Sequence, residues 1–317
     1  MPKVSVIIPS YNHEAYVSEA VASVLDQTER DLELIVIDDG SVDGTMERLR
    51  AFSDPRLRLL SQENQGAHAA INRGLAEAAG EFLAILNSDD AYHPQRLARA
   101  LAVFEAEADA GLVGSHIEIV DGTDRTLGIK HGYRDCPPWV LSSPEHSFRA
   151  GNDLRGALLT ENYWATTSNF VFRRSCYRKA GGFRPLRYAH DWDFALRMAR
   201  VARMVLLPDP LVRYRVHETN TIRENQAAMI FEICWCLAVH LPQHISDSWF
   251  AEAPAATRLD QLRHSIYTFG NERVLSLMLL QDLAGHPETA LALLEPANPC
   301  RSIYLRMIEE EPAGGLR

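Results

Sequence analysis

The chain has 317 residues, 46% hydrophobic and 23% charged; this is a globular composition that excludes wholesale disorder and a membrane bundle. It is long enough for one large domain, or for a domain of about 200 residues with an appendage of about 100. The net charge of -10 speaks against a nucleic-acid surface, which needs clustered Lys and Arg to neutralise phosphates.

The N-terminal half alternates strand and helix signals. Residues 4–9 form a compact apolar run closed by Pro9, which reads as a buried strand. Across residues 14–27 the apolar side chains Ala15, Tyr16, Ala20, Val21, Val24 and Leu25 recur at helical spacing. Residues 32–37 are a second apolar run, and Asp43-Gly44-Thr45 opens a short helix towards Phe52. A third strand at 57–60, a helix at 67–79 and a fourth strand at 82–86 follow. Apolar strands alternating with helices predict an α/β fold with a parallel sheet covered on two sides.

Beyond Gly111 the pattern becomes mixed. Residues 112–120 read as a strand, Asp121-Gly122-Thr123-Asp124 as a turn, and 139–160 as a loop or lid. Strands at 168–172 and 211–216 flank the tight loop Gly181-Gly182-Phe183 and a helix at 193–202. From Glu224 the pattern is helical, with breaks expected at Pro242, Pro254 and Pro287 and a frayed acidic end at 309–315.

The most apolar run, residues 227–241, is interrupted by Glu232 and falls short of the roughly 20 residues that cross a bilayer. A strand starting at Val4 leaves no room for a charged leader. Five cysteines at irregular spacing (Cys136, Cys176, Cys234, Cys236, Cys300) fit a reducing compartment better than a disulfide framework. The expectation is a cytoplasmic protein. Cys234 and Cys236 form a lone C-x-C and read as small apolar residues on a helix rather than as a zinc site.

In open α/β sheets, ligands bind at the carboxyl ends of the strands. The polar residues just past the apolar runs therefore share one rim: Ser10, Tyr11 and Asn12; Asp38 and Asp39; Asn87 to Asp90. Adjacent carboxylates at a strand end repel unless neutralised, and a divalent cation with oxygen ligands does that. The alternative for Asp90 is a cap on the helix after Pro94. Asp38-Asp39-Gly40-Ser41 fits a nucleotide contact or a turn with a cap. Its calcium-loop spacing fails because Arg50 stands where a bidentate Glu is needed. Asp191, in His190-Asp191-Trp192-Asp193, reads as a helix cap or as a general base. His217, after Tyr214-Arg215-Val216, reads as structural or as a metal ligand.

Together these segments resemble the family 2 glycosyltransferases of GT-A fold. Val4-Ser5-Val6-Ile7-Ile8-Pro9-Ser10-Tyr11-Asn12 is similar to the family's opening strand, and Asp38-Asp39-Gly40-Ser41 with Asp43-Gly44-Thr45 to its nucleotide-binding turn. Asn64-Gln65-Gly66 and Asn72-Arg73-Gly74 match its N-x-G segments, and Asn87-Ser88-Asp89-Asp90 its D-x-D metal motif. Gly181-Gly182-Phe183 and the Asp191 segment resemble its acceptor loop and base, and Tyr214-Arg215 with His217 its late Y-R-x-H element.

The resemblance covers roughly residues 3–220. It implies a Rossmann-like, mixed but mainly parallel sheet flanked by helices, a catalytic domain at 1–222 (nucleotide-sugar half about 1–110, acceptor half about 111–222) and a helical appendage at 223–317. It also implies a non-processive, inverting transferase that moves one sugar from a nucleotide diphosphate donor, a UDP-sugar by base rate, to a glycan, lipid-linked or protein acceptor. Pro9, Tyr11 and Asp39 would hold the nucleoside, with Gly66, Asn72 and Ser88 also on the donor side. Asp89 with His217 would carry Mn²⁺ or Mg²⁺, Asp191 would be the catalytic base, and Asp90 and His190 would support them.

Three departures stand out. Asn87 takes the first D-x-D position, His190 stands where the family often has Glu, and Ile71 where many members have Arg. The alternative they leave is a catalytically silent nucleotide-sugar-binding or scaffold protein. A nucleotidyltransferase would need a Gly-rich loop where Ser10-Tyr11-Asn12-His13 stands, and a dehydrogenase the same missing glycines. The apolar stripe at 230–241 is expected to pack on the catalytic domain or a second subunit, making a homo-oligomer, or to dock peripherally on the inner face of a membrane.

Overall fold

The four N-terminal apolar runs form strands β1 (Val4–Ser10), β2 (Leu32–Asp38), β3 (Leu57–Ser61) and β4 (Phe82–Ile85) in the computed structural model. The structure describes residues 1–130, 158–159, 162–217, 224–245 and 270–310. All four strands are parallel, in the order β3-β2-β1-β4. β1 and β4 are buried at every position, as strands covered on both faces must be. Helices α1 (Val17–Leu25), α2 (Thr45–Arg50), α3 (Ala67–Glu77) and α4 (Arg96–Ala106) lie between and after these strands.

Side chains alternate along a strand. Val4, Val6 and Ile8 of β1 therefore join Val17, Val21, Val24, Leu97, Leu101 and Phe104 in one apolar cluster with α1 and α4. Ile7 points the other way, to α3. There Gly74 lets the helix seat on the sheet, since a Cβ at that position would run into the Ile7 side chain.

The second half of the sheet is mixed. Strands β5 (Ala91–Tyr92), β6 (Ala110–Asp121), β7 (Thr126–Lys130), β8 (Val171–Arg173) and β9 (Arg203–Val216) extend it in the order β4-β8-β6-β9-β5, with β7 paired to β6. β8 runs antiparallel to both β4 and β6, whereas β6 and β9 are parallel.

Several expectations change here. The strand expected at 168–172 is a 3-10 turn, Thr167–Asn169, followed by the short β8. β9 begins eight residues before the strand expected at 211, because the ladder survives Pro208 and Pro210. His116 pairs with Pro210 directly after Ser115 pairs with Leu207, so Pro208 and Asp209 bulge out. Helices α5 (Arg174–Ala180) and α6 (His190–Val201) complete this region, and α6 opens three residues ahead of the expected 193.

The chain divides into two compact units: Met1–Val140, Trp164–Arg184 and Arg197–His217 form the first, and Leu141–Tyr163, Pro185–Leu196 and Glu218–Arg317 the second. The second unit holds the tail together with two internal segments.

Its described helices are α7 (Gln226–Ile245), α8 (Glu272–Leu280), α9 (Pro287–Leu293) and α10 (Pro299–Glu310). α7 packs on α8 and α10 and buries Ile230, Phe231, Cys234, Trp235, Leu237 and Leu241. Trp235 Nε1 donates to Ala290 O at 2.8 Å. The 230–241 stripe packs on the tail's own helices and, through Glu232 and His240, on residues 187–189 and Asp193. The break expected at Pro242 is absent: α7 continues through it to Ile245. Pro287 opens α9 as expected. Pro254, most of the 139–160 loop and the end past 310 lie outside the described residues. Among the described residues no helix is long and apolar enough to cross a membrane.

Candidate functional site

Strands β1 and β2 end side by side, with Ser10 in register with Asp38. Both are buried, and Ser10 Oγ and Asp38 Oδ1 have no hydrogen-bond partner among the described residues. Leaving buried polar oxygens unmatched is costly, so this corner is suited to a polar ligand. Pro9 is buried within β1, paired with Ile37, while Tyr11, just past the strand, is 44% exposed at the rim. The two loops beyond the strands are laced together. Asn12 N donates to Ser41 Oγ (3.0 Å), Val42 N to Asn12 Oδ1 (2.9 Å), His13 N to Thr45 Oγ1 (2.8 Å) and Gly44 N to Glu14 Oε2 (2.8 Å).

Asp39 faces α3. Its carboxylate accepts from Gln62 Nε2 (2.8 Å), Gln65 N (3.0 Å) and Gly66 N (2.8 Å). Gly66 has φ +89, a left-handed conformation that favours glycine. Asp39 thus binds the start of α3 with three of its acceptor sites. Lone pairs of the same carboxylate remain for a ligand. Asn72 clasps the backbone of Phe183 from both sides, accepting from its N at 2.8 Å and donating to its O at 2.7 Å. Its amide thus holds the Gly181-Gly182-Phe183 loop, with one N–H and one lone pair left for a further contact.

Past β4, Asp89 meets two histidines brought from far along the chain. His217 Nε2 lies 3.1 Å from Asp89 Oδ2, and His13 Nε2 lies 4.0 Å from the same atom. One ligand atom from each residue falls within 4.8 Å of the other two. Burial opposes ionisation of Asp89, but the His217 hydrogen bond and the neighbouring His13 and His217 charges outweigh it, holding the carboxyl below its usual range. Two imidazoles and a carboxylate converging on one point fit a divalent cation.

Ser88 is buried, and its Oγ lies 2.7 Å from His13 Nδ1. If that nitrogen carries the proton, Nε2 is left with its lone pair towards Asp89. Ser88 thus orients an imidazole. His217 stacks on Tyr16 at 5.1 Å between ring centres, and the Arg215 guanidinium lies 5.0 Å from the Tyr16 ring centre. Arg215 is itself tied to Glu19 (2.6 Å) and Asp124 (2.7 Å). His13 was not among the sequence candidates.

Asp90 is not the helix cap considered above; Gln95 holds that position. Its buried carboxyl accepts from Arg215 N of β9 (3.0 Å) and from Ser168 Oγ (2.5 Å). Burial, then the adjacent Asp89 charge, push its pKa well up. Asp90 therefore fastens β9, and with it His217, beside Asp89. Asn87 exchanges hydrogen bonds with Thr166 and Thr167 (3.0 and 2.8 Å), so its amide is structural, and Asp89 is the carboxylate of this segment that meets the two histidines.

Asp191 belongs to the second unit, in the first turn of α6. It is 7% exposed, accepts from Asn162 Nδ2 at 2.9 Å and from its neighbour Trp192 N at 2.7 Å. Burial raises its pKa to about 6, with both hydrogen bonds opposing the shift. A carboxylate so tuned is ionised at neutral pH yet basic enough to take a proton. His190 is half-buried, and burial lowers its pKa. The backbone leading into α6 rests on Glu232 of α7, whose carboxylate accepts from the N–H groups of Arg187 (2.9 Å), Tyr188 (2.6 Å) and Ala189 (3.0 Å). Neither Asn162 nor Glu232 was identifiable from the sequence.

The family model described as "Glycosyl transferase family 2" matches residues 5–181. An uncharacterized glycosyltransferase of Nostoc sp. is 31% identical over 226 residues, which is 69% of this chain but 66% of that protein's own length. Among solved structures, the mannosyltransferase PcManGT from Pyrobaculum calidifontis, in complex with GDP-Man and Mn²⁺, is similar with a TM-score of 0.58. The match covers 98% of this chain and 86% of that one at 22% identity. S. aureus TarS 1-349 in complex with UDP-GlcNAc is similar with a TM-score of 0.60 over 96% and 79%, at 18% identity. With its mixed sheet flanked by helices, the chain has the GT-A fold and belongs to glycosyl transferase family 2.

Proposed function

We propose that this protein transfers one sugar from a nucleoside diphosphate sugar to an acceptor hydroxyl, inverting the anomeric carbon. The observation that carries the reading is the convergence of His13, Asp89 and His217, which follow β1, β4 and β9, at the carboxyl rim of the sheet, where β1 and β2 also end in the unmatched oxygens of Ser10 and Asp38. The complexes of PcManGT with GDP-Man and Mn²⁺ and of TarS with UDP-GlcNAc support a nucleotide sugar as donor.

In this reading the nucleoside lies against Tyr11, Asp38 and Asp39, and the donor's diphosphate is held near Asp89. Asp89, His217 and His13 would hold a divalent cation, Mn²⁺ ahead of Mg²⁺. When bound, the cation supplies Lewis-acid stabilisation of the departing diphosphate. Sugar transfer develops oxocarbenium character, as in glycoside hydrolysis. Direct displacement by the acceptor oxygen inverts the centre and needs no protein nucleophile. Asp191 takes the acceptor's proton as the new C–O bond forms. A UDP-sugar is the first donor to try, and the acceptor is a glycan, lipid-linked or protein hydroxyl, as in polysaccharide synthesis.

A panel of nucleotide sugars with Mn²⁺ tests this. Selective ligand binding raises the melting temperature, and the selected donor should turn over with an acceptor or with water. Donor binding with no turnover across a broad acceptor panel would mark a silent binding module instead. No donor selected from the panel would defeat the reading.

A further inference from the structure

The second unit contains a separate cluster of ligand-type side chains that the transfer chemistry does not use. Asp193 in the first turn of α6 and Cys236 and His240 on α7 bring one donor atom each within 4.8 Å of the others. All three are at most 1% exposed. His240 Nε2 lies 2.8 Å from Asp193 Oδ1. Cys236, His240 and His244 are spaced four residues apart along α7, so they share one face of the helix, and the rings of His240 and His244 are 6.4 Å apart.

We propose that Asp193, Cys236 and His240 form a structural zinc site. The donor set is sulfur, imidazole nitrogen and carboxylate oxygen, which are the three ligand types that Zn²⁺ takes. Bond lengths of 2.0–2.3 Å around a tetrahedral ion place ligand atoms about 3.3–3.8 Å apart, so the side chains need only modest rearrangement. Charge favours the ion as well. A thiolate, a carboxylate and a neutral imidazole around Zn²⁺ sum to zero, whereas a buried carboxylate without a cation carries a large desolvation penalty. Water or His244 completes the coordination. The ion would bind α7 to the first turn of α6, which also carries Asp191. This proposal is independent of the assigned transfer reaction and of the cation at Asp89.

Metal analysis of the full-length protein tests it, using zinc and then cobalt as the probe. Asp89→Ala removes the carboxylate of the rim cluster, so the remaining zinc reports on the second unit. The expectation is about one equivalent of zinc retained after dialysis. Cobalt should add a sulfur-to-cobalt charge-transfer band, and both signals should be lost in Asp89→Ala/Cys236→Ala. No zinc uptake by Asp89→Ala and no sulfur band would overturn the site, leaving Asp193 and His240 as a hydrogen-bonded pair. A band that survives Cys236→Ala would also overturn it, because another cysteine would then be the ligand. If the Cys236 variant fails to fold, His240→Gln in the Asp89→Ala background gives the same decision through loss or retention of zinc.

Discussion

His217 Nε2 and Asp89 Oδ2 stand 3.1 Å apart although 128 residues separate them in the chain. Asp90 makes that meeting possible by accepting the backbone N–H of Arg215, two residues before His217. With His13 as the third member, the cluster has two nitrogens and one carboxylate oxygen. Imidazole favours transition metals, whereas Mg²⁺ prefers oxygen and holds its waters. Mn²⁺ should therefore bind more tightly than Mg²⁺ by at least about tenfold, and His13→Ala should narrow that ratio. Titration calorimetry with each ion decides the matter; equal affinity for the two ions in the wild type would remove His13 and His217 from the ligand set.

The elevated pKa of Asp191, about 6, has consequences for both rate and stability. As a base it must be ionised, so kcat should rise through pH about 6 and level off above it. Asp191→Asn should lower kcat by about 10²–10⁴-fold with donor affinity little changed. In the unfolded chain the same carboxyl titrates near 3.9, so the folded state binds a proton more tightly. Ionising the buried group then costs stability, a cost absent below pH about 4, growing up to about 6 and constant above, of the order of 3 kcal/mol. Urea unfolding at pH 4 and pH 7.5 should show wild type losing ground relative to Asp191→Asn as pH rises.

Asn162 donates to Asp191 Oδ2 at 2.9 Å and thereby favours the charged carboxylate. Asn162→Ala removes that support while burial remains. The acidic limb of the pH–rate profile should move upward from about 6, and activity at pH 6 should fall more than activity at pH 8. A uniform loss at both pH values would mean that Asn162 acts on something other than the ionisation of Asp191.

The sequence reveals what is local and periodic. The runs ending at Pro9, Ile37 and Leu86 are apolar because both faces of β1, β2 and β4 are covered, so these strands and the shared rim are readable in advance, while β3 at the sheet edge is only partly buried. β9 is less legible because Pro208 and Pro210 look like strand breakers until a bulge absorbs them. β7 carries two exposed residues, Thr126 and Leu127, and is too short to show alternation. Asp89, Asp191 and His217 lie in recognisable segments. His13, by contrast, gains its meaning only from Ser88 and Asp89, some 75 residues away. Asn72 and Asp39 illustrate the opposite limit, since a motif locates a residue at a site without revealing whether its polar atoms are already committed to the backbone.

Glu232 interrupts the most apolar run of the chain, and its position explains why a charge is tolerated there. Three consecutive backbone N–H groups, from Arg187, Tyr188 and Ala189, converge on its carboxylate at the entrance to α6. Burial pushes its pKa up, while those three donors favour the ionised form and offset part of the shift. Glu232→Gln keeps the shape but replaces one acceptor oxygen with a donor that faces an N–H, so at least one backbone group loses its partner. An unmatched buried donor costs about 1–3 kcal/mol, and the midpoint of urea unfolding should fall accordingly. If Glu232 also sets the position of the turn bearing Asp191, kcat should drop more than KM rises, and Glu232→Asp should recover less of kcat than of stability because its shorter stem cannot reach all three N–H groups. An unfolding midpoint unchanged in Glu232→Gln would show that this carboxylate is not what holds the segment in place.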